Sequence, residues 1–228
     1  MNGTKAQDRL IVALDTQGIA AARKTVQALD GIADFFKVGL VLQLAEGVED
    51  FIRELIREKK RVFLDYKYYD IPETIKKAVS RAAGLGVAFL TIHGPSAIIK
   101  AAVEARATAE LKLLTVTVLT SLDMGDIAEM GYPQHSVEEL VLFRARKALE
   151  AGCDGVIASG LEAEKIKALS HSKLLVVTPG IRPASHEQDD QKRRTTPADA
   201  ILAGADYLVI GRPITDAADP REAAARIV

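Results

Sequence analysis

The chain has 228 residues, 48% of them hydrophobic, with 30 basic and 31 acidic side chains and a formal net charge of −1. That length suits one large domain or two small ones, with a core that needs no staple, and the balanced charge removes the electrostatic case for nucleic acid or an anionic membrane surface as partner. One cysteine, Cys153, leaves no internal disulfide to form, and no Cys/His spacing suggests zinc.

Short apolar runs alternate with helix-period segments along the whole chain. Residues 9–15 (RLIVALD) read as a strand and 16–29 as an Ala-rich helix. The second pair is 35–40 (FFKVGL) and 43–59, and the third is 61–67 and 72–85, with Pro72 at a favourable first-turn position. The fourth pair is 89–93 and 96–108. The fifth is 111–120 and 136–151, where Ser136 and Glu139 have capping-box spacing. The sixth is 155–159 and 162–169, the seventh 174–179 and 197–204, and the eighth 207–211 and 220–227. Eight strand–helix units at short spacing predict an α/β chain folded as a single TIM-type (β/α)8 barrel over residues 1–228. An open doubly wound sheet is the alternative, but no G-x-G-x-x-G follows the first strand to support it. Cys153, beside the apolar run 155–158, reads as a small buried residue. Residues 1–9 are polar, unlike a signal peptide, and no run of roughly 18 apolar residues marks a membrane span, so the expected location is cytoplasmic.

Charges inside strands are costly unless they serve a purpose. Strand side chains alternate in facing, so Phe63, Asp65 and Lys67 share one face, as do Ile11, Ala13 and Asp15, and Phe35, Lys37 and Gly39. Each set carries charge to the carboxyl end of its strand, where barrels keep their chemistry. Asp15, Lys37, Asp65 and Lys67 thus converge from three adjacent strands, with Asp70 just beyond. Salt bridges closing the rim are the bland reading, yet five charges alternating in sign suit a site in which carboxylates keep lysines protonated for proton delivery. Arg182 at the seventh exit and Gly211-Arg212 at the eighth lie where TIM barrels commonly bind phosphate. The segment 182–195 is long and polar, as lids are, and its charge run 187–194 reads as solvated. His93, at the fourth exit, reads as a satisfied rim histidine, with a supporting position behind the site as the alternative.

DYKYYDIPET (65–74) resembles the D-x-K-x-x-D-I-P signature of the orotidine 5′-phosphate decarboxylase family. VALD (12–15) and FKVGL (36–40) resemble the family's first two strands, LTS (119–121) its fifth strand exit, and TPGIRP (178–183), DQKR (190–193), TPADA (196–200) and ADYLVIGRPIT (205–215) its bacterial branch, so the resemblance covers nearly the whole chain. It implies decarboxylation of orotidine 5′-phosphate to uridine 5′-phosphate, the last step of pyrimidine synthesis, without cofactor or metal. It implies that Lys67 is the proton donor, with Asp65, Lys37 and Asp70 completing the catalytic charges. It implies substrate contacts from Asp15, Lys37, Asp65, Ile71, Pro72, Thr74, Thr120, Ser121, Pro179, Arg182, Gln191, Gly211 and Arg212. It further implies a homodimer in which Asp70 serves the neighbour's site. Tyr68, Tyr69, Glu73 and the stretch from His93 to Ser96 depart from the common bacterial pattern; none removes a charge from the tetrad, and they bear on loop contacts and affinity. Magnesium-dependent sugar-phosphate relatives share D-x-K-x-x-D, but Lys37 and Ile71-Pro72 speak against them. Intact Asp65, Lys67 and Asp70 speak against a silent nucleotide-sensing barrel.

Overall fold

In a computed structural model that describes residues 5–133, 135–182 and 193–228, eight parallel strands close on themselves in chain order. They are β1 (Leu10–Ala13), β2 (Phe35–Gly39), β3 (Arg61–Tyr68), β4 (Phe89–Ile92), β5 (Lys112–Val116), β6 (Gly155–Ile157), β7 (Leu175–Thr178) and β8 (Tyr207–Ile210). The seam is closed by Leu10, Ile11 and Val12 pairing with Leu208, Val209 and Ile210. Helices at Ile19–Ala28, Val48–Arg57, Pro72–Leu85, Ser96–Arg106, Val137–Glu150, Ala163–Ser170, Pro197–Leu202 and Pro220–Ala225 follow the strands one by one. This is the TIM-type barrel expected from the sequence.

Alternation sorts the strand side chains into two cores. Ile11, Phe35, Phe63, Phe89, Leu114, Ile157, Val177 and Val209 point inward and fill the lumen. Phe89 packs edge-on against Phe35 and Tyr207 with ring centres 4.9 and 5.1 Å apart, and the Arg61 guanidinium sits 4.4 Å from the Phe35 ring centre. The barrel is therefore plugged by side chains and open only at its mouth. Val12, Val38, Leu64, Leu90 and Val176 point outward and pack against helix residues such as Val26, Leu55 and Val79. At Gly155 a Cβ would lie 2.6 Å from the Leu175 carbonyl oxygen, so only glycine lets β6 and β7 approach there.

Element edges differ from the sequence reading for local reasons. The first helix starts at Ile19 because Gly18 turns the chain with φ 116°, and the second starts at Val48 after left-handed Gly47, not at residue 43. β5 stops at Val116, and 117–121 leave the sheet as a loop held by the Leu122 amide on the Leu119 carbonyl. Short helices at Ala6–Arg9, Leu40–Gln43, Met124–Glu129 and Arg212–Thr215 were not anticipated. The capping box at Ser136 is half right: its hydroxyl accepts from the Glu139 amide at 3.0 Å, but the Glu139 carboxylate takes the His135 amide instead.

Candidate active site

The charges predicted on the first three strands meet at the mouth. Lys37 Nζ lies 3.1 Å from Asp15 Oδ1 and 3.6 Å from Asp65 Oδ2, while Lys67 Nζ donates to Asp65 Oδ1 at 2.9 Å. The order Asp15–Lys37–Asp65–Lys67 alternates in sign, so each interior charge has opposite neighbours. Burial pushes the Asp65 carboxyl up, but Lys37, Lys67 and hydrogen bonds from Lys67 and Thr91 outweigh it and hold the group below the ordinary carboxylate value. Asp65 is therefore a fixed negative charge at neutral pH, with lysines on both sides.

β3 does not reach Lys67 as a regular strand. Its register against β4 shifts between Leu64 and Tyr68, and Lys67 takes a left-handed backbone with φ 48°. Such a conformation is unfavourable for a residue with a Cβ and persists only where its surroundings impose it. Thr91, inward-facing on β4, supplies part of that imposition. Its hydroxyl accepts from the Lys67 amide at 2.9 Å and donates to Asp65 Oδ1 at 2.9 Å. One hydroxyl thus ties the bulged backbone to the carboxylate. Gly39 is the other supporting residue: a Cβ there would lie 2.8 Å from Lys37 Nζ and 2.9 Å from Asp15 Oδ1. Sequence reasoning missed the roles of both. The position of Thr91, two residues beyond lumen-filling Phe89, was the available signal.

A cavity of about 620 Å³ opens above this chain of charges. Of the expected site residues it gathers Asp15, Lys37, Asp65, Lys67, Thr120, Ser121, Pro179, Arg182, Gly211 and Arg212. The alternating charges come from the exits of β1, β2 and β3. Arg182, buried and donating to the Ile181 carbonyl at 2.9 Å, and Arg212 come from the exits of β7 and β8. Leu40, Val41 and Thr215 also line it. The single chain does not bring Asp70, Ile71, Pro72 or Thr74 to this cavity. Asp70 is exposed, and its carboxylate accepts from the neighbouring Ile71 amide at 2.6 Å. Gln191 lies outside the described residues.

The profile described as "Orotidine 5'-phosphate decarboxylase / HUMPS family" matches residues 8–227. The chain belongs to this family. Among its relatives, a Nitrobacter winogradskyi protein named orotidine 5′-phosphate decarboxylase is 56% identical over 223 residues, which is 98% of this chain and 92% of that protein. One of the same name from Methylococcus capsulatus is 49% identical over 220 residues, 96% of this chain and 90% of that protein. A crystal structure of orotidine 5′-phosphate decarboxylase from Lactobacillus acidophilus superposes with a TM-score of 0.81 at 36% identity, covering 96% of both chains.

Membership in the decarboxylase family does not extend to every local reading. The satisfied rim histidine expected at His93 holds only in part: the residue is half-buried and has a backbone hydrogen bond with Val116, but its Nδ1 has no hydrogen-bond partner among the described residues, and its ring meets Tyr69 edge-on at 5.6 Å. Burial, with Arg144 and Lys67 nearby, pushes its imidazole down. Nor is the whole charge run 187–194 solvated. The Arg193 side chain is largely withdrawn from water and pairs with buried Glu162, a residue read from sequence only as a helix start. Cys153 is buried as expected, its thiol pushed up to about 12 by burial.

Proposed function

We propose that this chain decarboxylates orotidine 5′-phosphate to uridine 5′-phosphate and carbon dioxide, the closing step of UMP biosynthesis, without metal or cofactor. The observation that carries the reading is Asp65 held between Lys37 and Lys67 at the mouth of the barrel. Loss of carbon dioxide leaves an electron pair on a ring carbon that spreads it poorly, so charge fixed in advance is the expected source of rate. With the substrate carboxylate placed near Asp65, two negative charges are forced together in the ground state and separate as the carbon–carbon bond breaks. The pair left on the ring carbon is met by the Lys67 ammonium. Lys67 delivers a proton to that carbon and recovers one from water after product leaves. Asp15 and Lys37 hold the ribose hydroxyls, and Thr120 and Ser121 face the pyrimidine edge.

Arg182, Gly211 and Arg212, with Pro179 beside them and Gln191 from outside the described residues, take the 5′-phosphate. Binding there is remote from the reacting carbon, so it supplies energy for orienting the base. Lys37 stands between Asp15 and Asp65 at the mouth, so an ammonium, not a further oxygen ligand, occupies the place between these carboxylates.

The working unit in this reading is a cytoplasmic homodimer. Tyr69 and Ile71 are about two-thirds exposed and Met130 about half, an apolar face for a soluble monomer to leave in water. A second cavity of about 470 Å³ runs beside it between Tyr69, His93, Tyr132 and Phe143. Asp70, Ile71, Pro72 and Thr74 open the helix on this face, so dimerisation through it would carry them toward the neighbour's site.

The test is ultraviolet absorbance of orotidine 5′-phosphate with purified protein, with and without EDTA. Loss of the orotate absorbance with equal release of carbon dioxide, unaffected by EDTA, is the expected result. Absence of turnover, or turnover that EDTA abolishes, would overturn the reading.

A further inference from the structure

The cavity has two ends, the phosphate end at Arg182 and the base end at Thr120 and Ser121, on strand exits that are not neighbours: β7 and β5. A short described segment, 193–195, spans them. The Thr195 carbonyl accepts from the Arg182 amide at 3.0 Å, and Thr195 bridges Ile181 as a one-residue extension of the sheet. Two residues earlier, Arg193 grips the β5 exit three times. Its amide donates to the Thr120 carbonyl at 3.2 Å, and its guanidinium donates to the Val118 and Leu119 carbonyls at 2.9 and 3.2 Å.

The other edge of the guanidinium is fixed as well. Nη1 donates to Glu162 Oε1 at 2.6 Å, with the two side chains only 11% and 5% exposed. Ser159 Oγ donates to the Arg193 carbonyl at 3.3 Å. At Gly160 a Cβ would lie 2.5 Å from Thr195 Oγ1, so the β6 exit is shaped to admit this segment. An ion pair this deep is not explained by solubility, and burying it costs desolvation. Its geometry needs a planar fork: one group reaches a carboxylate and two carbonyls at once, which a lysine ammonium on a single point does not.

Resting on the decarboxylase reading for its reaction, we infer that Arg193 is a positioning residue, locked by Glu162, that fixes the Thr120–Ser121 wall at the base end relative to Arg182 at the phosphate end. Arg193 touches no reacting atom. It acts through the three carbonyls that set where Thr120 and Ser121 stand, so its loss lets the base shift while phosphate stays bound. A displacement on the order of an ångström at a reacting centre costs up to about 100-fold.

The experiment measures kcat and KM for orotidine 5′-phosphate in wild type, Arg193→Lys, Arg193→Ala, Ser121→Ala and the Arg193→Ala/Ser121→Ala double variant, well below each protein's Tm. Amide hydrogen exchange of residues 117–122 is followed in the same proteins. Expected is a fall in kcat/KM of about tenfold or more for Arg193→Ala, a smaller fall for Arg193→Lys, and faster exchange in 117–122. With Ser121 already Ala, removing Arg193 should cost less than about threefold, because the two share one route. An unchanged kcat/KM, or an equal fall in both backgrounds, would overturn the inference; Arg193→Lys decides it if the alanine variant does not fold. An idle wild type would sink the decarboxylase reading by itself, and the exchange of 117–122 would then still decide whether Arg193 positions that wall.

Discussion

Lys67 Nζ stands 2.9 Å from Asp65 Oδ1, and the lysine reaches it from a backbone with φ 48°, beyond a shift in strand register. The ammonium is aimed by a conformation that its own Cβ disfavours. Lys67→Ala and Lys67→Gly both remove the ammonium, but only glycine relieves the backbone. Urea unfolding should therefore find Lys67→Gly more stable than Lys67→Ala by about 1 kcal/mol. Equal stabilities would mean that the left-handed turn carries no strain.

Gly39 separates stability from activity in another way. The atoms its missing Cβ would strike, Lys37 Nζ and Asp15 Oδ1, are tips of side chains able to move aside. Gly39→Ala should change stability by less than about 1 kcal/mol while lowering kcat/KM about tenfold or more by breaking the order of charges. A variant with wild-type kcat/KM would show that the spacing of Asp15 and Lys37 is not critical.

Asp65 sets a pH dependence whose sign is fixed. Its folded carboxyl lies below the ordinary 3.8, so its charge contributes stability that is fully present above 3.8 and is lost as pH falls through the folded value. Compared with Asp65→Asn by urea midpoints over acid to neutral pH, the wild type should hold a constant relative advantage at neutral pH that declines only on the acid side of 3.8. A relative advantage that fades while pH is still near neutral would contradict a lowered Asp65.

The proposed sharing of sites across a homodimer has a mixing test. Lys67→Ala and Asp70→Ala proteins, each inactive, should regain about a quarter of wild-type activity when their subunits exchange at random, since half the dimers are mixed and each has one intact site. Sedimentation should give a dimer for both. Exchange without recovery would place Asp70 in its own subunit's site or in none.

Much of this was legible in the chain. Period-two alternation put Asp15, Lys37 and Asp65 on the lumen side of their strands, and the eight strand–helix units closed as expected. What alternation does not encode is the bulge before Lys67, which depends on Thr91 from the next strand, 24 positions on. Gly39 read as a strand residue because its need for smallness arises only when two neighbouring strands converge their charges. Arg193 read as one charge in a solvated run, since its partner Glu162 and the β5 carbonyls are distant in sequence. Asp70, Ile71, Pro72 and Thr74 illustrate a different limit: one chain leaves them outside the cavity, and for Asp70 the sequence resemblance implies a site on a second copy, which a single chain does not display.

In the proposed reaction Lys67 delivers the proton within a site built by Asp65 and Lys37. The most direct measurement is single-turnover conversion of orotidine 5′-phosphate by wild type and Lys67→Ala at saturating protein, with uridine 5′-phosphate binding measured in both. Both proteins should bind uridine 5′-phosphate, and conversion should be at least about 100-fold slower in Lys67→Ala. A variant that binds and converts within about tenfold of wild type would contradict it.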